Sequence, residues 1–551
     1  REVLGIEKIG VHDNFFELGG DSILSIQIVA KANQAGLRLT PRQFFQYQTV
    51  AKLSAVTEVA PVIQVEQETV TGPAPLTPVQ HWFFEQNLPN PHHWNQTMLL
   101  EIRRPLDPTL LENAIRHLLK HHDALRLRFQ REEVGWQQVN AAPDGDAPFV
   151  HVDLSAMPTE EQRMVVESHA AKLQASLDLA VGPLLRVAFF DLGTRRTGRL
   201  LIIIHHLVVD NVSWRILLED LQTAYNQLSR GEKVKLLPKT LAFKTWAERL
   251  TAHARTAHLK GELPYWLTQT EPLPYTLLAD TTKRLEMNTE ASARTLSVML
   301  SIAETRALLQ DVPPVYRTHV NEVLLTALAQ AYQRWAAYRA WARATVLRID
   351  LEGHGREDIL PDADVSRTVG WFTSIFPVRL ELPSTLAPGN ALKSIKEQLR
   401  RIPNKGIGYG ILRYLAEASI QQQLRTRPPA EISFNYLGQF DRILPEPSLF
   451  TPTREPTGPE HSPYGQRRYL LDIEGGVNGE QLWVNWTYSE NLHRRNDIET
   501  LARGFVEALQ GIIAHCRTPS AGGYTPADFP EAGLAQEELD ALLAQLDEGI
   551  A

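Results

Sequence analysis

Two adjacent histidines and an aspartate follow an apolar run of the sequence, in the stretch RLLIIIHHLVVDNVSW. The run is rich in β-branched residues, which predicts a buried strand that ends at His205 and His206. A helix is predicted over 213–231, so Asp210 lies in the short loop between the two elements. An imidazole exchanges protons near neutral pH and a carboxylate can hold its geometry, so this spacing favours acid–base chemistry at a strand end. The alternative is a histidine pair that is structural or simply exposed.

A second titratable group lies in a strand predicted over 345–355. Its apolar residues, Leu347, Ile349 and Leu351, alternate with polar ones, so they face the core. Glu352 then points to the opposite side, toward a cavity. The alternative is an ordinary strand-end carboxylate that is paired with Arg348 or Arg356.

A serine that could carry a covalent group follows a glycine pair in DNFFELGGDSILSI, residues 13–26. Gly19 and Gly20 allow a tight turn, and Ser22 opens an amphipathic helix with its hydroxyl exposed. By geometry alone, a plain N-capping serine is the favoured interpretation of Ser22.

The composition limits the class of protein. The chain has 551 residues, 43% of them hydrophobic, and a formal net charge of −8, with no basic block that would indicate a nucleic-acid partner. A single cysteine, Cys516, excludes an intrachain disulfide framework. We see no apolar stretch of the ~18–20 residues that a membrane span needs and no signal peptide, so we expect a cytoplasmic protein.

No metal site is predicted. The histidine pairs at 92–93 and at His121 and His122 have no carboxylate at helical separation.

The chain divides into segments that differ in composition and predicted secondary structure. Residues 1–56 are helix-rich, and 57–75 contain three prolines and no helical period, which predicts a linker. Helices and strands are interspersed over 76–520, and a tail over 521–551 ends in a short acidic amphipathic helix. The first segment, REVLGIEKIG, looks like the end of a helix, as if the chain began inside a larger polypeptide.

The string DNFFELGGDSILSI resembles the attachment site of a peptidyl carrier domain of nonribosomal peptide synthetases. This resemblance implies a small all-α four-helix bundle over 1–56 in which Ser22 carries 4′-phosphopantetheine. A phosphopantetheinyl transferase would attach the group. Its phosphodiester would lie at a helix N-terminus, where backbone N–H groups favour negative charge.

HHLVVDNVSW resembles the His-His-x-x-x-Asp-Gly motif of condensation and epimerization domains, which share a large two-lobed chloramphenicol-acetyltransferase-like α/β (α+β) fold. The implied lobes are about 76–275 and 276–520. His206 would be catalytic and His205 structural, while Asp210 would orient the loop through an arginine, either Arg126 or Arg356. Asn211 stands where the family usually has glycine; asparagine tolerates a left-handed backbone, so the turn can be kept.

Four further motifs resemble signatures of epimerization domains: LEGHGRE (351–357), DVSRTVGWFTSIFPV (364–378), NKGIGYGILRY (404–414) and FNYLGQFD (434–441). They imply that Glu352 is the second titratable group beside His206. Asn435 and Tyr436 would supply hydrogen bonds or a proton relay, or else form a buried tyrosine beside an asparagine turn. Arg367 would either lock the wall of the substrate tunnel or bind the pantetheine phosphate.

Together the resemblances predict an isomerase that converts an L-aminoacyl or peptidyl thioester to an L/D mixture by Cα deprotonation and reprotonation. The alternatives are an amide-forming condensation domain and a catalytically silent docking platform. The implied partners are an upstream adenylation domain and a downstream condensation domain of a partner synthetase. The C-terminal helix would either dock that partner or simply cap the second lobe.

Overall fold

The computed structural model of the protein describes residues 1–550 with gaps. The residues that lie outside the description are 2, 5, 17, 21, 60–66, 134, 144, 146, 194–195, 274–284, 339–345, 361, 384–386, 440–447 and 454. Residues 60–66 belong to the predicted linker, and 440 and 441 to the motif FNYLGQFD.

A small helical unit occupies residues 1–59. Its elements are α1 (Ser22–Gln34), β1 (Leu37–Arg38), α2 (Pro41–Gln46), α3 (Val50–Val56) and β2 (Glu58–Val59). Leu24 and Val29 of α1 pack on Phe15 and Phe44 in a core of their own. The described part of this unit has three helices rather than the predicted four. Gly10 and Asp13 close a turn before α1 instead, as such residues favour.

The first lobe of the large domain spans residues 72–269. Its strands are β3 (Gly72–Ala74), β4 (Asn95–Ile102), β5 (Leu127–Glu132), β6 (Gly135–Asn140), β7 (Phe149–Asp153), β8 (Leu185–Asp191) and β9 (Arg199–His205). Its helices are α4 (Pro78–Glu85), α5 (Pro108–His121), α6 (Thr159–Gln174), α7 (Asn211–Ser229), α8 (Phe243–His253), α9 (Ala257–Lys260) and α10 (Leu263–Gln269).

Strand β9 lies inside the main sheet of this lobe. It pairs antiparallel with β4 on one side and with β8 on the other, and every residue of β9 is buried. Ile203 belongs to the core that is formed with α6, whereas Ile202 and Ile204 belong to the main core. Because both faces are covered, the run is continuously apolar rather than alternating.

The second lobe begins after residue 284. Its strands are β10 (Ala293–Met299), β11 (Val346–Gly353), β12 (Ser374–Glu381), β13 (Ile432–Gln439), β14 (Phe450–Pro452), β15 (Leu471–Asn478) and β16 (Gln481–Ser489). Its helices are α11 (Ile302–Arg306), α12 (Val312–Tyr316), α13 (Val320–Tyr338), α14 (Pro388–Arg400), α15 (Ile407–Leu415), α16 (Ala418–Arg425) and α17 (Arg495–Cys516), and α18 (Gln536–Ile550) ends the described chain.

The sheet of the second lobe has the strand order β10-β16-β15-β13-β11-β12. Strands β11, β13 and β15 run parallel. Leu347, Ile349 and Leu351 of β11 are buried in the main core. The residues that alternate with them, Asp350 and Glu352, point to the other face of the sheet.

Two pairings of strands cross the predicted boundaries, which stay predictions. Strand β14 comes from the predicted second lobe but pairs with β4 in the first sheet. Both ends of the predicted linker belong to sheets, since β2 pairs with β1 and β3 pairs with β6. Such short strands have no recognisable period, and their partners are distant in sequence, so the pattern of the sequence does not reveal them.

Among the described helices, none is long and apolar enough to cross a membrane. The tail that follows α17 is attached to the second lobe by buried charges. The Lys396 side chain is 0% exposed and its Nζ lies 2.6 Å from Asp528 Oδ2. The same ammonium donates to the carbonyl oxygen of Tyr316 at 2.7 Å.

We predict that Asp528→Asn destabilises the second lobe by about 3–5 kcal/mol, because it leaves the buried Lys396 charge without its counter-ion. The matched control is Asp311→Asn. The partner of Asp311, Arg517, is 56% exposed, so loss of this ion pair should lower the free energy of unfolding by at most about 1 kcal/mol. Thermal unfolding midpoints of the two variants check this. Equal midpoints would contradict it.

Candidate active site

His205, the first of the two histidines, forms hydrogen bonds to the backbone through both ring nitrogens. It is completely buried, its Nδ1 accepts from the N–H of Leu207 at 3.2 Å, and its Nε2 donates to the carbonyl oxygen of Pro91 at 2.8 Å. Burial lowers its pKa to about 3, so the ring is neutral. His205 therefore holds the strand end in place.

His206 lies half-buried at the start of the next turn. Its Nδ1 lies 3.0 Å from the carbonyl oxygen of Val209, and its ring packs against Trp371 with centroids 4.3 Å apart. Burial lowers the pKa of His206 to about 4, although the Val209 hydrogen bond and Asp210 oppose the shift. At neutral pH the imidazole is therefore an unprotonated base.

Asp210 joins the histidine loop to the second lobe. It is the N-cap of α7, where its Oδ1 accepts from the N–H of Ser213 at 2.7 Å. Arg356 Nη2 lies 3.0 and 3.1 Å from its two oxygens. Of the two predicted arginine partners, Arg356 is thus the one in place, because Arg126 pairs with Asp123.

Arg356 also supports the loop that carries Trp371. Its Nη1 donates to the carbonyl oxygens of Val365 and Thr368, both at 2.7 Å, and its guanidinium lies 3.9 Å from the centre of the Phe372 ring. The N–H of Phe372 donates to Asp210 Oδ2 at 3.1 Å. The ion pair therefore places Trp371 against His206.

Asn211 does not need a left-handed backbone. It is the first residue of α7, directly after the Asp210 cap, and has no positive φ. The predicted reason for tolerating asparagine at this position is therefore wrong. A first helical turn accepts either asparagine or glycine.

Glu352 stands on the polar face of β11 and is half-buried. Its Oε2 accepts from Asn435 Nδ2 at 2.9 Å. Arg356 is paired with Asp210, and Arg348 donates to the carbonyl oxygens of Glu271 and Pro429. The alternative of an ion pair with either arginine is therefore wrong.

A row of acidic groups surrounds Glu352. Asn435 on β13 is in register with Glu474 on β15. Asp350 precedes Glu352 by two residues on β11, and Asp472 precedes Glu474 by two residues on β15, so they share a face of the sheet. Burial raises the pKa of Glu352 to about 8, and repulsion from Glu474, Asp472 and Asp350 adds to the shift. At neutral pH the Glu352 carboxyl is therefore mostly protonated.

Tyr436 follows Asn435 directly and is half-buried against the main core. The β13–β15 register shifts between Tyr436 and Gln439, where Gly438 has a φ of 73°. Such bulges bend a strand beside functional sites. The relay role of Tyr436 stays a prediction.

Arg367 is not available to a phosphate. Its Nη1 lies 2.6 Å from Glu219 and its Nη2 lies 2.6 Å from Asp220, both on α7. The predicted pantetheine-phosphate contact is therefore wrong, because two carboxylates already neutralise the guanidinium. The contacts join the loop that follows residue 363 to the first lobe, and the other predicted role, a lock of the substrate-tunnel wall, stays a prediction.

Asp220 also contacts the histidine pair at the end of α5. His122 Nε2 lies 2.9 Å from Asp220 Oδ2, and His121 lies beside them. The sequence pattern missed this carboxylate because it comes from another helix. Since Arg367 already neutralises Asp220, we interpret the cluster as a hydrogen-bond network between α5, α7 and the second lobe.

A cavity of about 210 Å³ lies between the lobes, and Trp371 is one of its lining residues. Trp82 of the first lobe and Asp350 and Arg468 of the second lobe also line it. Trp371 therefore contacts both this cavity and the His206 ring.

The start of α1 has the geometry of an attachment site. Ser22 is its first residue, after Gly19, whose φ is +85°. A Cβ at Gly20 would lie 2.4 Å from the Phe15 ring, so the tight turn requires glycine there. A phosphodiester on Ser22 fits this position, because the free N–H groups of the first helical turn attract anions.

The helical unit docks on the second lobe beside β13. Gln439 at the end of β13 donates to the carbonyl oxygen of Gly19, and the Phe16 ring packs edge-on against His319 at 4.8 Å. Ile26 of α1 joins the main core. The strand that carries Asn435 therefore ends at the turn before Ser22.

Polar contacts complete this interface. Arg38 pairs with Asp362, and Asn33 Nδ2 donates to Asp364 Oδ2 at 3.3 Å. Both acidic residues lie in the loop that leads to Trp371. Carrier position and active-site loop are thus in contact.

Comparisons with known proteins identify both units. Residues 70–532 match the family model Condensation domain, and residues 1–56 match Phosphopantetheine attachment site, which supports the predicted cofactor. One of the linear gramicidin synthase proteins of Brevibacillus parabrevis is 51% identical over 99% of this chain and 7% of that protein. Tyrocidine synthase 1 of the same organism is 37% identical over 98% of this chain and 49% of that protein. The chain thus spans a small part of the first relative and about half of the second.

Solved structures agree. The epimerization domain from the third module of tyrocidine synthetase B is 38% identical, with a TM-score of 0.76 over 82% of this chain and 99% of that chain. The first condensation domain of the calcium-dependent antibiotic synthetase, 18% identical with a TM-score of 0.60 over 82% of this chain and 98% of that chain, shares the fold. The predicted fold class of the large domain is confirmed.

We predict that Glu474→Gln lowers the pKa of Glu352, because it removes the strongest of the charges that repel the ionised carboxylate. An infrared titration of the carboxyl band that is lost in Glu352→Gln measures this pKa. The control is Glu290→Gln, which removes a carboxylate beside His461 instead. An unchanged Glu352 pKa in Glu474→Gln would contradict the electrostatic explanation.

Proposed function

Because the chain belongs to the condensation-domain family and begins with a phosphopantetheine attachment domain, we propose that it epimerizes an aminoacyl or peptidyl thioester carried on Ser22. The observation that carries this proposal is the pairing of an unprotonated imidazole at His206 with a protonated carboxyl at Glu352. Asp210, four residues after His206, is bound to Arg356, four residues after Glu352. We propose that both groups border one cleft between the lobes.

The chemistry needs a base and an acid on opposite sides of one carbon. His206 Nε2 takes the proton from Cα, the Cα–H bond breaks, and its electron pair moves onto the thioester. The protonated Glu352 then gives its proton to the other side of the same carbon. The reverse reaction uses the same two groups in exchanged roles.

When bound, 4′-phosphopantetheine supplies the thioester that makes the Cα–H more acidic than in an amide. The chain supplies the positioning. Gly19 and Gly20 form the turn before Ser22, and Gln439 and His319 hold the helical unit against the second lobe. Asn435 orients the Glu352 carboxyl from the neighbouring strand.

The similarity to a solved epimerization domain at 38% identity supports this function over amide formation. A condensation domain would use the same histidine motif, but neither it nor a silent platform explains a protonated Glu352 beside the cleft. An upstream adenylation domain and a downstream condensation domain are the proposed partners, and a phosphopantetheinyl transferase would modify Ser22.

The helix α18 is the proposed contact with the downstream partner. Its Leu539 is buried, whereas Leu542 is 46% exposed. Glu537 and Glu538 give its first turn negative charge. A basic amphipathic helix of a partner synthetase would complement this surface.

Solvent exchange at Cα tests the function. We expect the protein, loaded on Ser22 with an L-aminoacyl or dipeptidyl pantetheine and kept in D₂O, to yield the D isomer with deuterium at Cα. Glu352→Gln and His206→Ala should each lower the rate at least about 100-fold, the usual scale of acid–base catalysis. Mass and chirality of the hydrolysed amino acid measure both effects.

Glu357→Gln, a carboxylate beside His354, is the matched control and should keep the activity. Several amino acids should be loaded, because the cargo is unknown. Absence of exchange from every well-loaded carrier would refute the proposed function.

The pH–rate profile should also be bell-shaped. Below about pH 4 His206 is protonated and cannot accept the Cα proton, and above about pH 8 Glu352 is ionised and cannot donate one. First-turnover rates in a buffer series measure the two limbs. A rate that rises steadily as the pH passes above the Glu352 pKa would exclude Glu352 as the proton donor.

A further inference from the structure

Both ring nitrogens of His206 have hydrogen-bond partners. Nδ1 lies 3.0 Å from the carbonyl oxygen of Val209, and Nε2 lies 3.0 Å from Nε2 of Gln96. A carbonyl oxygen only accepts, so Nδ1 carries the hydrogen of the neutral ring. The lone pair of Nε2 therefore faces Gln96.

Trp214 determines which way the Gln96 amide points. The indole Nε1 of Trp214 lies 2.8 Å from Gln96 Oε1, and an indole nitrogen can only donate. The amide oxygen is thus directed to Trp214, and the NH₂ group is directed to His206. A proton on His206 Nε2 would place one donor against another.

The fold holds these three side chains together. Gln96 is in β4, in register with Ile204 of β9, one residue before the histidine pair. Trp214 is buried in the first turn of α7, which Asp210 caps. The strand pair and the helix that present His206 therefore also present its two partners.

We propose that Gln96 is a positioning residue whose amide keeps the imidazole of His206 deprotonated before the substrate arrives. When the Cα–H of the substrate approaches, the hydrogen bond from the Gln96 amide to His206 Nε2 breaks. The nitrogen lone pair can then accept the proton. The inference rests on the proposed function for its role in catalysis.

Other titratable groups also face the ring. His205 precedes His206, and Asp210 lies on the same loop. His461 belongs to the segment before β15 and stacks on Trp94, with the ring centroids 4.1 Å apart. Asp210 favours the charged ring and His461 disfavours it. Gln96 differs from them because it contacts Nε2 itself.

Gln96→Glu is the decisive variant. A carboxylate of nearly the same shape would accept from a protonated Nε2 and add a negative charge. The acid limb of the first-turnover rate should therefore move up by about 1–3 pH units, the effect of an opposite charge in contact. The plateau rates of the variants are compared at a pH above the shifted limb.

Trp214→Phe tests the same idea without changing Gln96 or His206. It removes the indole N–H, so the amide can turn and offer its oxygen to a protonated Nε2. We expect a smaller shift of the acid limb in the same direction.

Gln222→Glu is the matched control. Gln222 lies on α7, the helix that also carries Trp214, and its Oε1 accepts from the N–H of Leu449 at 2.7 Å. Glutamate keeps this acceptor. The control thus adds a carboxylate to the same helix, about two turns away from Trp214, and the acid limb should stay in place.

A titration of the His206 imidazole by NMR in ¹⁵N-histidine-labelled apo protein, assigned with His206→Asn, separates this inference from the proposed function. Upward shifts in Gln96→Glu and Trp214→Phe support the inference even if no epimerization is found. Unchanged titration, or a rate that falls equally at all pH values, would overturn it.

Discussion

The ion pair between Asp210 and Arg356 is the interaction on which the site depends. Arg356 is 2% exposed, and its charge is compensated by one carboxylate and two backbone carbonyl oxygens. Removing one partner of such a buried pair costs far more than the pair contributes, since an unpaired charge stays behind. The ion pair therefore joins the two lobes between the loop of the proposed base and the strand end of the proposed acid.

Burial prepares both titratable groups through one physical effect. A low-dielectric environment disfavours the charged form of any group, so it lowers the pKa of a histidine and raises that of a glutamate. His206 and Glu352 thus become a neutral base and a neutral acid at the same pH. The Gln96 amide supports the neutral imidazole by donating to its lone pair, whereas Asn435 donates to Glu352 Oε2 and orients that carboxyl.

Local patterns predicted much of this arrangement. The period of two in β11 placed Glu352 on the cavity side, and the apolar run before the histidines predicted β9. What local patterns could not show are contacts between distant segments: the choice of Arg356 over Arg126, the carboxylate of Asp220 beside His122, and Gln96. Gln96 lies 110 positions before His206 in a strand whose partner is set only by the fold. The spacing of residues along the chain carries no signal for such pairs.

Strand β14 has a consequence for how domains of this kind can be recombined. Phe450–Pro452 comes from the second half of the chain yet completes the sheet of the first half. A chimaera joined between the lobes would combine a sheet from one parent with an edge strand from another. The natural unit of exchange is therefore the whole large domain, and a crossover that respects the fold falls outside it.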